Sequence, residues 1–519
     1  MLRGDTLPAL LRAAADEAPD AEAYRYRDER LTYADWRDLA DRLAGGLAAR
    51  GIRPGDVVAL LLPSTPLYPV AYLAAARLGA VTTGINVRYR RTEIGHVLRQ
   101  SGAALLLAVR SWHDADFHAM VEALRPDLPE LRDVVWLGAD AIRAGTRAVV
   151  DRLAGTPPPD GPAPDDPVAI VFTSGTTGAP KGAYYTHRNL LALAEIEGRR
   201  HPAGLPRFQK HLAAGLSFAH VGTMARIAIQ IGGLGALLVE DTYDTARALE
   251  ICERERLEHL GAFPTQAIMM LDHPDRPRRD LSSLKTVMLG GAPSTPALIR
   301  RVQETFGVVV LVRYSSTEVG IATGSLPTDS IEVLSTTVGK PTPGVELRIV
   351  DAENRPLPPN EIGTVAVRSP ATMRGYWRNP EATAKTIDAE GWIHTGDLGW
   401  LDPDGYLHLR GRESEMFIRG GYNVYPSEVE DVLARHPAVA RAAVLGVPDD
   451  TMGEIGWAVV QPRDPAKPPT LKELRDFVGA ELASFKRPDG LTVVADVPLT
   501  PNFKVDKRAL KATLETARG

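Results

Sequence analysis

A short segment rich in glycine, serine and threonine has the composition of a phosphate-binding loop. It runs Val171-Phe-Thr-Ser-Gly-Thr-Thr-Gly-Ala-Pro-Lys-Gly182 and follows a β-branched run, residues 168–171, that predicts a strand. Glycines let backbone N–H groups approach an anion closely, while hydroxyl groups and one ammonium add donors. The residues that we expect to hold phosphate oxygens are Thr173, Ser174, Gly175, Thr176, Thr177, Gly178 and Lys181. Because the residue order of a Walker A loop is absent, we predict a different nucleoside triphosphate site, with an ordinary surface loop as the alternative.

Further motifs follow this loop in a fixed order. They are Gly290-Gly-Ala-Pro293, Arg313-Tyr-Ser-Ser-Thr-Glu318, Val338-Gly-Lys-Pro-Thr-Pro-Gly344, Gly391-Trp-Ile-His-Thr-Gly-Asp-Leu-Gly399, Gly411-Arg412, Gly420-Gly-Tyr-Asn-Val-Tyr-Pro-Ser-Glu-Val-Glu430 and the segment 498–508. One such motif would be weak, but an ordered series over residues 171–508 is specific. The series resembles the adenylate-forming superfamily, which contains acyl-CoA synthetases, the adenylation domains of peptide synthetases and luciferases.

The resemblance assigns further contacts to ATP. Glu318 is similar to the acid that binds Mg²⁺, an oxygen ligand suited to a metal that also binds phosphate, and Thr317 beside it would contact a phosphate. A tyrosine would stack on adenine opposite the backbone of the Gly-Gly-Ala-Pro motif, an aspartate would accept hydrogen bonds from both ribose hydroxyls, and an arginine would add a second ribose contact. The implied nucleotide-binding residues are Gly291, Ala292, Pro293, Tyr314, Ser315, Asp397 and Arg412. Read alone, the Gly-Gly-Ala-Pro motif is a turn, and Arg412 is a surface residue at a domain junction.

A lysine near the C-terminus completes the catalytic set that the resemblance implies. In the family, such a lysine reaches from the small domain and bridges the reacting carboxylate and the α-phosphate, where a cation suits the developing negative charge. Lys504 keeps the expected spacing from Pro498 and Thr500, although Phe503 occupies the position of the usual glycine. Lys507 and Lys511 are the alternatives.

The resemblance places an acyl pocket near residues 218–222, 262–265 and 315–322. His220 would be an aromatic gate that moves between access of ATP and access of a thiol, and a core histidine is the alternative. The implied pocket residues are Phe218, Gly222, Phe263 and Gly320, and those of a CoA tunnel are Gly420 and Gly421. Because these pocket segments contain no cation that could pair with a second carboxylate, we expect an apolar fatty, aryl or alicyclic acid.

Together these residues imply an AMP-forming acyl-CoA synthetase that uses ATP, Mg²⁺ and coenzyme A. The carboxylic acid is first converted to an acyl-adenylate and then transferred to CoA, and the small domain must rotate between the two steps. The family pivots at the acid of Gly-Arg-x-Lys-Asp, whereas this hinge is Gly411-Arg-Glu-Ser-Glu415. The atypical hinge leaves open an adenylating enzyme that passes its product to a partner ligase or carrier protein. An ATP-binding sensor without turnover and a luciferase-type oxidation are further alternatives.

Predicted helices and strands alternate over the first half of the chain. Apolar spacing predicts helices at 33–50 and 67–78, and short apolar runs predict strands at 56–63 and 80–84. This alternation implies α/β layers with parallel sheets. Strand patterns dominate after residue 344, and a helix–strand–helix pattern follows residue 427. With the resemblance, they predict a large domain of two doubly wound sheets and a distorted β-barrel at 1–413, a hinge at 412–416, and a small mobile α+β lid domain at 417–519.

Composition excludes several other classes. A chain of 519 residues with 44% apolar and 24% charged residues is typical of a soluble protein with more than one domain. The net charge of −5 gives no reason to expect nucleic-acid binding. Cys252 is the single cysteine, so no internal disulfide can form, and we expect it to be buried in a helix. Without a signal peptide or a membrane-spanning run, the sequence predicts a cytoplasmic monomer or homodimer.

Overall fold

A computed structural model describes residues 4–157, 161–173, 180–199, 207–224, 226–291, 294–500 and 504–518. The α-helices in these ranges are α1 Leu7–Glu17, α2 Tyr33–Ala49, α3 Leu67–Arg77, α4 Arg91–Ser101, α5 Phe117–Leu124, α6 Ala139–Ala144, α7 Thr146–Leu153, α8 His187–Arg199, α9 Val221–Met224, α10 Arg226–Gly232, α11 Thr245–Arg254, α12 Pro264–Asp272, α13 Pro296–Phe306, α14 Ile331–Thr336, α15 Pro380–Thr386, α16 Pro426–Leu433, α17 Leu471–Gly479 and α18 Lys507–Arg518. Within the same ranges, no helix is both long enough and apolar enough to cross a membrane.

The strands are β1 Glu22–Tyr26, β2 Glu29–Thr32, β3 Val57–Leu61, β4 Val81–Gly84, β5 Ala103–Val109, β6 Ser111–Trp112, β7 Ala115–Asp116, β8 Asp133–Leu137, β9 Pro167–Phe172, β10 Gly182–Thr186, β11 Lys210–Ala214, β12 Ala236–Glu240, β13 His259–Ala262, β14 Thr286–Gly290, β15 Val309–Ser316, β16 Gly320–Gly324, β17 Lys340–Pro341, β18 Glu346–Val350, β19 Gly363–Arg368, β20 Gly375–Tyr376, β21 Ile393–Leu401, β22 Leu407–Arg412, β23 Phe417–Arg419, β24 Tyr422–Val424, β25 Val439–Asp449, β26 Gly453–Pro462 and β27 Gly490–Val493.

The first sheet has seven strands in the order β20-β10-β9-β4-β3-β5-β8. Its five strands from β9 to β8 are parallel neighbours, and β10 and β20 add antiparallel pairs at one edge. Every residue of β3 and β5 is buried, as expected for parallel strands covered on both faces. The predicted helix that follows β2 begins at Tyr33 because Thr32 and Asp35 form a capping box there. The expectation of α/β layers is confirmed.

Of two further sheets, one combines strands from before and after the glycine-rich loop, and the other consists of strands that follow it. One has the order β11-β12-β1-β2, and the other has the order β13-β14-β15-β16-β17. Strands β13, β14 and β15 are parallel, so their carboxyl ends lie at one edge of the sheet. Ligands bind at such edges in open α/β sheets. Cys252 lies buried in α11, as the sequence predicts.

The strands after residue 344 form an open antiparallel sheet of four, in the order β18-β19-β21-β22. In the described residues it does not close into the barrel that the resemblance implies. The Asp402 side chain accepts backbone hydrogen bonds from Asp404 and Tyr406, and the chain reverses there between β21 and β22. Asp397 and Arg412 are paired across this hairpin.

The C-terminal part of the chain, which we call the small domain, has its own sheet and core. The sheet order is β24-β23-β26-β25, with β27 added beside β26. Phe417, Val429 and Leu474 belong to a core cluster on one side, and Val497, Leu510 and Leu514 belong to a second cluster. The second cluster includes residues of α18, so the segment that carries Lys504 is held between packed residues at 497 and 510.

Candidate active site

The glycine-rich loop joins the antiparallel strands β9 and β10. Its base is closed by two hydrogen bonds, from the Thr173 N–H to the Lys181 carbonyl at 2.9 Å and from the Lys181 N–H to Thr173 Oγ1 at 3.3 Å. The predicted phosphate contacts of Ser174, Gly175, Thr176, Thr177 and Gly178 lie outside the described residues. The structure therefore defines where this loop leaves and re-enters the first sheet.

Tyr376 connects the base of this loop to Glu318, and sequence reasoning did not find it. Lys181 Nζ lies 5.0 Å from the centre of the Tyr376 ring, and the Tyr376 hydroxyl donates to Glu318 Oε1 at 3.0 Å. Burial, with Glu318 beside it, raises the pKa of Tyr376, so the phenol stays protonated as a donor. Its sequence signal was the Gly375-Tyr pair, which forms strand β20 beside β10.

Backbone contacts hold Thr317 and Glu318 in the connection between β15 and β16. The Tyr185 hydroxyl donates to the Thr317 carbonyl, and the Met373 N–H donates to the Glu318 carbonyl at 2.9 Å. Glu318 Oε2 has no hydrogen-bond partner in the described part of the chain. The same part contains no group of three His, Cys, Asp or Glu side chains that could hold a metal ion by itself. A single carboxylate oxygen suits Mg²⁺ that takes its other ligands from phosphate and water.

Asp397 lies between Tyr314 and Arg412. The Tyr314 hydroxyl donates to Asp397 Oδ2 at 2.5 Å, and Arg412 Nε lies 3.0 Å from Asp397 Oδ1. Burial raises the pKa of Asp397, and the positive charge of Arg412 opposes that rise. Arg412 also interacts electrostatically with Glu318, so the predicted ribose-binding and metal-binding acids share one cation. The sequence indicated these residues but not the contact between Tyr314 and Asp397.

Gly291 leaves room for two other predicted site residues. It has a φ of +82°, and a Cβ atom there would lie 2.6 Å from Phe263 Cε1 and 3.9 Å from Lys504 Cε. The backbone of this motif therefore comes close to both side chains because it carries no side chain of its own. Ala292 and Pro293 lie outside the described residues. Ser315 is exposed near the end of β15.

Lys504 of the small domain lies close to residues of the preceding part of the chain. The Thr500 N–H donates to the Lys504 carbonyl at 2.7 Å, and the Lys504 N–H donates to Thr500 Oγ1 at 3.2 Å. The Lys504 side chain is exposed to solvent. Desolvation of its ammonium group by nearby protein atoms, and then the positive charge of Arg412, lower its pKa. It interacts electrostatically with His220 and Asp397. Lys504 thus lies in a cleft that both parts of the chain line.

Lys507 has different neighbours. Its Nζ atom lies 2.6 Å from Glu415 Oε2 and 2.9 Å from Glu430 Oε1. The predicted pivot, Glu415, therefore has an ammonium partner even though Ser414 replaces the usual lysine. Sequence reasoning missed this pair because the two residues are separated by most of the small domain.

The segment that begins at Phe218 turns from the core toward the cleft. Phe218 is fully buried and stacks on Tyr68, with ring centres 5.3 Å apart. His220 Nδ1 accepts a hydrogen bond from the Gly222 N–H at 3.1 Å. Burial, and then the nearby Lys504, lower the pKa of His220 to about 4, so the ring is neutral at pH 7.

Open space lies beside two glycines at the carboxyl ends of β13 and β14. A Cβ atom on Gly261 or on Gly290 would meet no atom within 4 Å, so both backbones face empty space. Gly320 is different, because a Cβ there would lie 3.0 Å from Leu193 Cδ2, and its φ is +68°. The predicted tunnel glycines, Gly420 and Gly421, form the turn between β23 and β24. The described residues thus bring together a neutral histidine, a lysine and an acid–tyrosine–arginine group, and open space lies beside Gly261 and Gly290.

Comparison with known proteins gives consistent matches. Residues 11–377 match the AMP-binding enzyme family, and residues 428–504 match the AMP-binding enzyme C-terminal domain. The chain is 35% identical to a 3-[(3aS,4S,7aS)-7a-methyl-1,5-dioxo-octahydro-1H-inden-4-yl]propanoyl:CoA ligase of Rhodococcus jostii (strain RHA1), over 98% of both chains. It is 34% identical to a feruloyl-CoA synthase of an Amycolatopsis species, over 94% of this chain and 95% of the other. The structure of ATP-bound MatB from Rhodopseudomonas palustris superimposes with a TM-score of 0.87 at 28% identity, covering 98% of this chain and 99% of that one.

Proposed function

The chain belongs to the AMP-binding enzymes, and from this premise we propose that it activates a bulky, largely apolar carboxylic acid. The protein is an ATP-dependent, AMP-forming acid–CoA ligase. ATP, CoA and a carboxylic acid are its substrates. An alicyclic or aryl body for that acid is supported by the names of the two similar ligases and by the open space beside Gly261 and Gly290.

The observation that carries the proposal is the position of Lys504. It comes from the small domain, yet it lies beside Gly291, His220 and Asp397 of the preceding sheets. A cation there can hold the acid carboxylate against the α-phosphate and offset the negative charge that forms between them.

The remaining residues bind and orient ATP in this proposal. Asp397 and Arg412 contact the ribose, Tyr314 contacts the adenine, and Thr173 with Lys181 holds phosphate oxygens. Glu318 would hold Mg²⁺, which neutralises phosphate charge when it is bound. Tyr376 orients the Glu318 carboxylate by donating to Oε1, and Oε2 would then be available to the metal ion.

The thiol step needs a different arrangement of the same chain. Lys504 has to leave, and the small domain has to turn about Glu415 so that Gly420 and Gly421 can border the path of CoA. His220 is neutral, so it can move aside without carrying charge through a buried region. We assign residues 1–413, 412–416 and 417–519 to the large domain, the hinge and the lid. We further propose that the protein is a cytoplasmic monomer or homodimer. The acceptor of the acyl group in this proposal is CoA rather than a carrier protein.

The hinge is expected to slow the thiol step relative to adenylation. Lys507 joins Glu415 while Lys504 lies in the cleft, so this ion pair favours the adenylating arrangement. A bias of about 1.4 kcal/mol would change the ratio of the two arrangements tenfold. Single-turnover assays with CoA present should detect accumulated acyl-adenylate. The double change Ser414→Lys and Glu415→Asp should reduce that accumulation.

The matched control for the hinge is Lys472→Gln, which removes an exposed ammonium of the small domain that is paired only within α17. It should leave the accumulation unchanged. If CoA consumes the adenylate of the unmodified enzyme as fast as it forms, the hinge has no such bias. If CoA never consumes it but a purified carrier protein does, the acceptor in this proposal is wrong.

The substrate proposal is tested by pyrophosphate release from a set of carboxylic acids, with and without CoA. Bulky apolar acids should exceed free amino acids in kcat/KM by about 100-fold or more, because an α-ammonium would be buried without an acid to pair with it. The segments 218–222 and 261–265 contain no Asp or Glu. Higher kcat/KM for any free amino acid than for every apolar acid would overturn the proposal.

A further inference from the structure

Strand β20 is fixed to the strand that leaves the glycine-rich loop. Its residue Tyr376 pairs with Ala183 of β10, and the Trp377 N–H donates to the Gly182 carbonyl at 2.7 Å. On the other side, the Tyr376 N–H donates to Thr383 Oγ1 of α15 at 2.9 Å. Hydrogen bonds on both sides therefore set the backbone at residue 376 without the help of any ligand.

The Tyr376 side chain lies between a cation and an acid. The residue is only 7% exposed. Lys181 Nζ lies 5.0 Å from the centre of its ring, and its hydroxyl donates to Glu318 Oε1 at 3.0 Å. A cation is attracted to the face of an aromatic ring, and a hydrogen bond to a carboxylate is stronger than one between neutral groups. The phenol is thus held against Oε1 before any metal ion binds.

The main chain of Glu318 is fixed as well. Its N–H donates to Ser316 Oγ at 3.3 Å, and its carbonyl accepts from the Met373 N–H at 2.9 Å. In the described part of the chain, Oε2 has no hydrogen-bond partner, so the carboxylate keeps one oxygen that is not engaged. A metal ion that contacted both oxygens would have to break the hydrogen bond from Tyr376.

We propose that Tyr376 makes this site selective for Mg²⁺ over larger divalent cations such as Ca²⁺, because its hydroxyl keeps Glu318 from binding a metal ion through both oxygens. Mg²⁺ requires octahedral geometry and retains several water ligands, whereas Ca²⁺ takes more oxygen ligands and often contacts both oxygens of one carboxylate. The inference rests on the proposed function, in which Glu318 holds the metal ion, and refines it. Tyr376 acts through Glu318, so it is a positioning residue.

Removal of the hydroxyl should affect the two cations differently. Tyr376→Phe keeps the ring and its contact with Lys181 but leaves Glu318 Oε1 without its donor. Mg²⁺ loses the carboxylate orientation that the phenol supplies, and loss of such a partner weakens metal binding by about 10- to 100-fold. Ca²⁺ gains a second oxygen of the same carboxylate, which offsets its loss. The preference for Mg²⁺ over Ca²⁺ should therefore decrease.

The test measures the Kd of ATP for the full chain in the absence of any carboxylic acid, so that ATP is bound but not consumed. Calorimetric titrations are made with saturating Mg²⁺, with saturating Ca²⁺ and with a chelator. The ratio of the Kd with Ca²⁺ to the Kd with Mg²⁺ should be at least about 10 in the unmodified enzyme and should fall by about tenfold in Tyr376→Phe. A purely structural defect would weaken ATP binding with both cations alike and leave this ratio unchanged.

Tyr376→Met also lacks the hydroxyl and is an independent second variant with the same expected ratio. The matched control is Tyr406→Phe. The Tyr406 hydroxyl donates to Asp329 Oδ1 at 2.7 Å, and Lys340 Nζ lies 4.4 Å from its ring centre, so the same three chemical groups meet there without Glu318. This control should leave the ratio unchanged, and thermal unfolding midpoints check that each variant is folded.

Two results would overturn the inference while leaving the proposed function standing. One is an unmodified enzyme that binds ATP equally well with Ca²⁺ and with Mg²⁺. The other is a preference for Mg²⁺ that stays unchanged in Tyr376→Phe and in Tyr376→Met. Absence of ATP binding under every condition, or of pyrophosphate release with every acid, would instead contradict the proposed function itself, so the two failures are distinguishable.

Discussion

Lys504→Ala should lower acyl-adenylate formation by about 100-fold or more, the scale of removing one preorganised charge-stabilising donor. The side chain lies in the cleft with His220 and Asp397, so its loss removes a cation from the place where the carboxylate and the α-phosphate meet. Isotope exchange between pyrophosphate and ATP measures this half-reaction directly. Given preformed acyl-adenylate and CoA, the same variant should form thioester at close to the unmodified rate, because Lys504 has left the site for that step.

Lys507→Ala is the matched control, since it removes the same side chain three residues away. Lys507 is committed to Glu415 and Glu430, so exchange should fall by no more than about tenfold, through the orientation of the small domain. A large loss of pyrophosphate exchange in Lys507→Ala, together with nearly normal exchange in Lys504→Ala, would assign the catalytic role to Lys507 instead. A loss of both half-reactions in Lys504→Ala would show that the residue supports the fold rather than adenylation.

Glu318→Gln should lower adenylation by a factor on the order of 100, because it removes a charge at the phosphates while keeping the side-chain shape. The amide can still meet the Tyr376 hydroxyl, so the contacts of the β15–β16 connection survive. Titration of the exchange reaction with Mg²⁺ should give a higher half-saturating concentration in this variant. Its thermal unfolding midpoint should stay close to that of the unmodified enzyme.

Glu304→Gln on the exposed side of α13 makes the same chemical change away from the site and should have no effect. Unchanged activity and an unchanged Mg²⁺ titration in Glu318→Gln would remove Glu318 from the metal site. A decrease in activity without any change in the Mg²⁺ titration would assign Glu318 to substrate orientation instead.

Local features of the chain were predicted well because their causes are local. The helix at Tyr33–Ala49 follows from apolar spacing and the Thr32 cap, and β3 follows from an apolar run that needs cover on both faces. The burial of Cys252 follows from its helical setting.

The residue types, the order of the motifs and the α/β class of this AMP-binding enzyme therefore follow from the amino-acid sequence. Which of those residues meet is seen only in the folded chain. Tyr376 reaches Glu318 across 58 positions of chain, and Lys507 reaches Glu415 across 92. Such pairs depend on how strands are ordered and how the small domain is seated, because a side chain's charge fixes what it can bind but not which distant segment is brought within a few ångströms of it.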